Sequence, residues 1–364
     1  MPARVTMSSI AARAGVSKNT VSLALRHDPQ IPASTRARIE KIAAVLGYAK
    51  NPVVAQLMTE LRKAHPAGYQ RTFALLNANL DASAFTRHPT IPAYVAGCRR
   101  RAAFLGYGLD EFWLNDPELY GEQLNRILRA RGIRGVIIVG LMNDNRLPPR
   151  FSVTWQHHAA VVTGVRTREP TLAFACVDHH ALVLQAMEHA RQLGYVRPGL
   201  VLENTIDRLV DGRFSSGFWV GQQGLPATER IPGFYAVEAA RHDQTAFYAW
   251  FEQYRPDVIF TLHTVVRDWL SALGIKAPRD LGLIQLERRR GCADWSGMEQ
   301  HNDLTGEAAI DMLVSLLHNE AMGLPVSPRA TLIGASWASG NTTHAPTHIG
   351  VTGSGSRRGR QRSA

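Results

Sequence analysis

The chain has 364 residues, 45% of them hydrophobic and 20% charged, with a formal net charge of +11. That length buries ample core and implies two to three structural units, while the absence of an apolar leader or of any run near the roughly 18 apolar residues of a membrane span points to a cytoplasmic protein. Cys98, Cys176 and Cys292 are too few and too scattered for a disulfide framework or a metal cluster, and read as thiols in a reducing compartment.

Two short helical patterns joined at Gly15 occupy residues 6–26. Thr6 is placed to cap the first, whose Ile10, Ala11 and Ala14 form an apolar face; Gly15 permits a tight turn, and Ser17 is placed to cap the second. In the second helix Val21, Ala24 and Leu25 point inward. Lys18, Asn19 and Ser22, spaced i, i+1 and i+4, share the outer face near its start, where a helix lying in a major groove meets base edges. On these residues alone an αα-hairpin of any helical protein is the alternative. Charge placement favours DNA: residues 1–63 hold ten Lys and Arg against three Asp and Glu, and the tail from His344 onward adds four arginines, so the long middle is balanced. Positive charge therefore collects where phosphate contacts would be made.

The turn-rich Asp28-Pro29-Gln30-Ile31-Pro32 leads into a predicted helix from Ser34 to Leu46, with Ile39, Ile42, Ala43 and Leu46 at helical spacing and Gly47 as terminator. Asn51 is then placed to cap, and Pro52 to start, a short helix that runs through Leu57 to Arg62 and ends in the linker-like Ala64 to Gly68.

From Thr72 the texture changes. Phe73–Leu76, Gly135–Val139, Ala173–Val177, Gly199–Leu202, Val258–Thr261 and Leu281–Leu286 are buried-strand runs; Ala93–Leu105, Glu118–Arg131, His180–Leu193, Thr245–Tyr254 and Thr305–Met322 are amphipathic. Alternation of strand and helix predicts α/β architecture with parallel, doubly wound sheets, and the length of this region predicts two lobes. Ligands of such folds bind beyond the carboxyl ends of the strands, which makes the cleft between lobes the default site. The segment from Asn341 on, rich in Thr, Gly, Ser and Arg, lacks the apolar surface to repay ordering and is expected to be disordered.

With Val5-Thr6, Ile10-Ala11, Ala14 to Ser17, Thr20 to Ser22, Thr35-Arg36, Leu46 to Tyr48, Asn51 and Leu57 in place, the first sixty residues resemble the headpiece of the LacI/GalR transcriptional regulators. More loosely, Cys176 to His179 resembles that family's valine-aspartate crossover, Asp280 to Glu287 its strand ending in an acidic pair, and Gln300 with Gly306 and Ala309 the glutamine, glycine and helix that follow. The resemblance implies a helix-turn-helix headpiece (1–49), a hinge helix and linker (50–68) and a two-lobed, periplasmic-binding-protein-like effector and dimerisation domain (69–343); composition alone adds a disordered basic tail (344–364). The resemblance further implies a homodimer that reads one operator half-site per headpiece, with Leu57 wedged into the central base step; simple packing of Leu57 is the alternative. Departures are Leu23 where the family's commonest recognition arginine stands, Pro32 for a capping serine, Val54-Ala55 in the hinge, Arg213 one position early, and Glu287-Arg288 for the acidic pair.

The expected DNA contacts are Lys18 and Asn19 to bases, Leu23 to a thymine methyl with simple packing as the alternative, Ser22 to base or phosphate, Thr6, Ser17 and Thr35 to phosphates, and Asn51 and Leu57 from the hinge. For the effector, expected to be a sugar or sugar derivative, candidates near strand ends are Asn79, Trp113, Asp178, Arg213, Trp219 and Glu287. Core packing is the alternative for each tryptophan, a helix cap for Asp178 and a plain surface role for Arg213. A regulator answering to a non-sugar effector such as a nucleobase, or a cytosolic small-molecule-binding protein, is the second reading. No cofactor, metal or catalysis is expected: His157-His158 and His179-His180 point apart on either helix or strand, and no phosphate loop, nucleophile elbow or metal-binding helix motif accompanies them. A transport receptor would need an export signal and has no use for a headpiece.

Overall fold

The computed structural model describes residues 7–25, 30–46, 71–289 and 291–344. Thr6, Asn51, Leu57, the hinge and linker, and the tail beyond His344 lie outside the described residues. Three helices come first: α1 (Met7–Ala14), α2 (Lys18–Ala24) and α3 (Ala33–Val45). Their core is Ile10, Ala11, Ala14, Val21, Ala24, Ile39 and Ala43, with Leu25, Ile42 and Leu46 packed against it. The apolar positions spaced three and four apart in sequence thus meet in one small cluster, as an amphipathic face requires.

Next come β1 (Arg71–Asn77), α4 (Ala84–Arg87), α5 (Ile91–Phe104), β2 (Tyr107–Trp113), α6 (Gly121–Ala130), β3 (Gly135–Val139), α7 (Ser152–His157), β4 (Ala159–Thr163) and β5 (Ala173–Val177). They are followed by α8 (His179–Gln192), β6 (Pro198–Val201), α9 (Asn204–Leu209), α10 (Arg213–Gly221), α11 (Val237–His242), α12 (Thr245–Tyr254), β7 (Val258–Thr261), α13 (Val265–Ala272), β8 (Gly282–Gln285) and β9 (Ser296–Glu299). The chain closes with α14 (Asn302–His318), β10 (Ala330–Ile333) and β11 (Ser336–Ala338).

Two compact units result, one of residues 1–176 and 302–331, the other of 177–301 and 332–364. In the first, six strands run in the order β10-β5-β4-β3-β1-β2, with β1 to β5 paired in parallel. β1 lies between β2 and β3, so the winding direction reverses there, and the carboxyl ends of β1 and β3 are where a ligand crevice forms in such sheets. In the second unit the order is β11-β9-β8-β7-β6, parallel except for the antiparallel edge strand β11. Strands β3, β4 and β5 are buried along their whole length. Both faces are covered, so these strands read as unbroken apolar runs instead of alternating ones.

The core of the first unit gathers Phe73, Leu75, Val95, Ile137, Val161, Ile310 and Leu313. Two of its helices, α5 and α14, touch backbone to backbone. A Cβ added to Gly97 would lie 1.8 Å from the Asp303 carbonyl oxygen, and one on Gly306 would lie 2.1 Å from that of Tyr94. Glycine is needed at both positions because nothing larger fits the crossing. Beside it Arg100 pairs with Asp303 at 2.8 Å and Glu307 at 2.6 Å, and Arg101 with Asp311 at 2.7 Å, all partly exposed and of modest worth. The second core is aromatic, built on Phe234, Phe247, Trp250, Trp269 and Trp295. All three cysteines are buried and none forms a disulfide, and burial pushes the Cys98 thiol up to about 12. No helix of the described residues is long and apolar enough to cross a membrane.

Candidate nucleic-acid interface and ligand wall

In the amino-terminal helices the turn works as the sequence predicts. Gly15 takes φ +65°, and Ser17, extended at φ −72° and ψ 154°, is the N-cap of α2. Its Oγ accepts from the Thr20 amide at 3.0 Å and lies 2.8 Å from Thr20 Oγ1. Val21 and Ala24 turn into the core, which leaves Lys18, Asn19 and Ser22 at their expected positions on the helix and Leu23 half-buried. α3 begins behind Pro32 with no side-chain cap, and Thr35, half-buried, lies in its first turn.

The six ligand candidates divide between the units. Asn79 and Trp113 meet at the switch point of the first sheet, but their polar groups are engaged in building the loops. Asn79 Nδ2 donates to the Gly140 carbonyl at 3.1 Å, its Oδ1 accepts from the Asp81 amide at 3.0 Å, and its own carbonyl receives Trp113 Nε1 at 2.9 Å. In the second unit Asp178 is a helix cap, with Oδ1 accepting from the Ala181 amide at 3.1 Å, and Trp219 is 64% exposed on α10. Arg213, half-buried, opens the same helix immediately after Gly212 at φ +71°.

Glu287 belongs to a denser group. Its carboxylate is buried and lies 3.5 Å from the Arg289 guanidinium, which also reaches the Leu262 carbonyl at 3.4 Å. Leu262 follows β7 as Glu203 follows β6, and between them His263 Nε2 accepts from the Glu203 amide at 3.2 Å. Burial, then the charge of Arg241, push the His263 ring down to about 4, against the opposite pull of Glu238 and Glu203. Glu203 is held by the amides of Thr205 and Glu238, and the buried Asp207 by that of Ser215. Burial raises the nearby Tyr235 hydroxyl, as does Asp207. His179 is buried against Phe214, with ring centroids 4.6 Å apart, and burial, reinforced by Arg213, lowers it to about 3. Both rings are therefore neutral near pH 7.

The carboxyl ends of β6, β7 and β8 thus present a wall of carboxylates, guanidinium and neutral imidazole. Of this group the sequence pointed to Glu287 but not to Glu203, Asp207, Tyr235, His263 or Arg289. The signal available was that Glu203 and His263 each follow an apolar strand run directly. Arg288, counted as a departure from the acidic pair, turns away to the Trp295 and Ala293 carbonyls and Glu299. Gln300 buttresses the strand end by donating to the Leu286 carbonyl at 2.8 Å. The histidines of the 157–158 pair each bond a backbone carbonyl one turn back. Among the described residues no group of three or more His, Cys, Asp or Glu side chains is arranged to hold a metal ion.

Residues 6–51 match the sequence model of the bacterial regulatory proteins of the lacI family. An HTH-type transcriptional regulator of Mycolicibacterium smegmatis is 28% identical over 202 residues, 55% of this chain and 52% of that protein. The chain thus spans about half the length of that relative and of the HTH-type transcriptional regulator Rv3575c of Mycobacterium tuberculosis. The HTH-type transcriptional regulator PtxS of Pseudomonas putida is 25% identical over 335 residues, 87% of this chain and 91% of that one. In fold, the chain is similar to the transcriptional regulator CelR in its cellobiose complex, with a TM-score of 0.56 at 16% identity over 93% of this chain and all of that one. The fold shared with that regulator is a helix-turn-helix followed by two α/β units with parallel sheets. The lacI-family match is confined to residues 6–51, the amino-terminal helices.

Proposed function

We propose that the chain is a sequence-specific transcriptional repressor acting in the cytoplasm as a homodimer, each headpiece (1–49) reading one operator half-site. The hinge (50–68) joins it to an effector domain (69–343) that adjusts its grip, and the basic tail (344–364) adds phosphate contacts. The observation that carries this reading is α2: a capped helix held by its own core, with Lys18, Asn19 and Ser22 at spacing i, i+1 and i+4, in a stretch where basic residues outnumber acidic ones ten to three. Lysine suits guanine acceptors and asparagine suits adenine, each good pair giving about 1–3 kcal/mol of discrimination.

A sugar or sugar derivative suits the wall at the ends of β6 to β8. Hydroxyl groups both donate and accept, and this wall offers Glu203, Asp207 and Glu287 as acceptors with Arg289 and Arg213 as donors. The regulator has no catalytic role in this reading. If the effector prefers one arrangement of the domain and operator DNA another, the two affinities are reciprocally coupled.

Selection of binding sites from random duplex by the full chain should return a symmetric operator, and Lys18→Ala with Asn19→Ala should lose that preference while keeping the fold. An unchanged selected sequence would remove the assignment. Thermal-shift screening with sugars and nucleobases identifies the effector class, since a ligand at about 100 times its Kd adds about 2.7 kcal/mol. A response to nucleobases alone would replace the sugar reading, and silence from every small metabolite would remove effector control.

A further inference from the structure

The sheet of the first unit has two chemically different ends. The loops that leave the carboxyl ends of β1, β2 and β3 each carry carboxylates: Asp81, then Asp116 and Glu118, then Asp144. At the amino ends, residues 104–107, 126–134 and 156–158, which lead into β2, β3 and β4, contain none. Arg129, Arg131 and Arg134 are exposed there, together with Arg71, the first residue of β1. Nearby acids are already engaged: Asp110 holds Arg131 at 2.6 Å, Asp311 holds Arg101 at 2.7 Å, and Glu320 has a carboxylate oxygen buried. Among the described residues, Arg71, Arg129 and Arg134 have no carboxylate partner.

Strand register brings these guanidinium groups together. Arg71 lies opposite Tyr107, and Ala74 opposite Val136. Carried back two residues, the second pairing sets Thr72 opposite Arg134, so Arg71 and Arg134 stand one step apart on neighbouring strands, about 4.8 Å apart. Arg129 joins them from the side of β4. Burial lowers the His158 ring, against the pull of the Thr154 carbonyl, and the charges of His157 and Arg129 lower it further; His158 directly precedes β4. Like charges gathered without counter-ions repel one another, and a polyanion relieves that repulsion while shedding its own condensed cations. Chain connection says which polyanion comes near: β1 is the first described element beyond residues 47–70, so the helices carrying Lys18 and Asn19 are tethered to this end of the sheet. A duplex gripped by those helices meets Arg71 at the effective concentration of a tethered ligand.

We propose that this arginine edge is a second DNA-contacting surface, with Arg71, Arg129 and Arg134 meeting phosphates that flank the base pairs read by the headpiece. The inference rests on the headpiece reading DNA and extends that role to the effector domain. Guanidinium groups suit phosphates, and such contacts add affinity without adding sequence preference.

The test titrates the full chain and its Arg71→Gln/Arg129→Gln/Arg134→Gln variant onto the selected operator, bare at about 20 base pairs or extended by about 10 on each side, across about 50–200 mM salt. Each phosphate contact adds about 0.9 to the slope of log affinity against log salt, so losing even one per subunit of a dimer makes the slope shallower by about 2. The variant should show at least that change on the extended duplex and a smaller one on the bare operator, with the selected sequence and melting temperature unaltered. A control with Arg191→Gln, Arg230→Gln and Arg279→Gln, exposed arginines of the second unit, removes the same charge and should keep the parent slope. If Arg71→Gln disturbs β1, Arg129→Gln with Arg134→Gln decides. An unchanged slope on the extended duplex, an equal change on both duplexes, or an equal change in the control would each overturn the surface while leaving operator reading intact. Failure of the parent chain to tell operator from random duplex would instead remove the DNA-reading role, and this surface with it.

Discussion

Replacing Gly97 by alanine tests how tightly α5 and α14 are locked. The new methyl carbon would start 1.8 Å from the Asp303 carbonyl oxygen, and even the tightest real contact of this kind is no closer than 3.0 Å, so the helices must part by about 1.2 Å. Neither side can yield locally, because both are backbone. Parting them loosens Val95, Cys98, Ala309, Ile310 and Leu313, which pack along the same seam. Overpacking of this sort costs about 1–3 kcal/mol, which for a unit near 200 residues lowers the melting temperature by roughly 2–4 °C per kcal/mol. Gly306→Ala, aimed at the Tyr94 carbonyl, should cost a similar amount. The double variant should fall short of the sum by more than about 0.5 kcal/mol, since helices already parted by one methyl accommodate the second. Calorimetry or urea unfolding of the four proteins measures the cycle. A Gly97→Ala protein that melts with the parent, or strictly additive losses, would refute the close crossing.

Acid should weaken the second unit in a defined window. His179 and His263 have folded values of about 3 and about 4 against an ordinary 6.5, so below pH 6.5 the unfolded chain takes up protons that the folded one refuses. Stability contributed by the neutral rings is intact above pH 6.5 and is lost progressively as pH falls toward 4. At pH 5.5 each ring should cost about 1.4 kcal/mol, measured as the change in urea midpoint between pH 7.5 and 5.5 and reduced in His263→Gln. A flat profile across that interval would contradict the burial of both rings. In the headpiece, Ser17→Ala removes the cap of α2 and should cost about 1 kcal/mol and weaken operator binding more than this alone, if the hydroxyl also meets phosphate. Equal affinity in gel-shift titrations at matched ionic strength would confine Ser17 to its structural part.

Legibility in the sequence followed burial only in part, since β4 (Ala159–Thr163) is buried throughout and was not among the expected strands. Gly135–Val139, Ala173–Val177 and Val258–Thr261 match strands β3, β5 and β7 to the residue, because strands covered on both faces must be apolar throughout. β2 was not recognised, since its Asp110 and Glu111 are tolerated by an edge strand with only one neighbour. β9 and β11, of four and three residues, carry too little pattern to stand out. The headpiece was readable because its caps, turn and core are all local. The polar group at the ends of β6 to β8 was not, because Glu203, His263 and Glu287 come together only through strand order: each is one polar residue after an apolar run, and nothing in the chain between them announces the meeting. Asp178 illustrates the reverse, a family-like position that the structure shows capping a helix.

The burial of Cys98, Cys176 and Cys292 has a practical corollary. With all three cysteine thiols buried, and that of Cys98 kept protonated, the native chain should be nearly silent toward maleimides. A single cysteine introduced at an exposed position would then be the sole attachment point for a fluorophore or spin label, with no need to strip the wild-type protein of its own sulfur first.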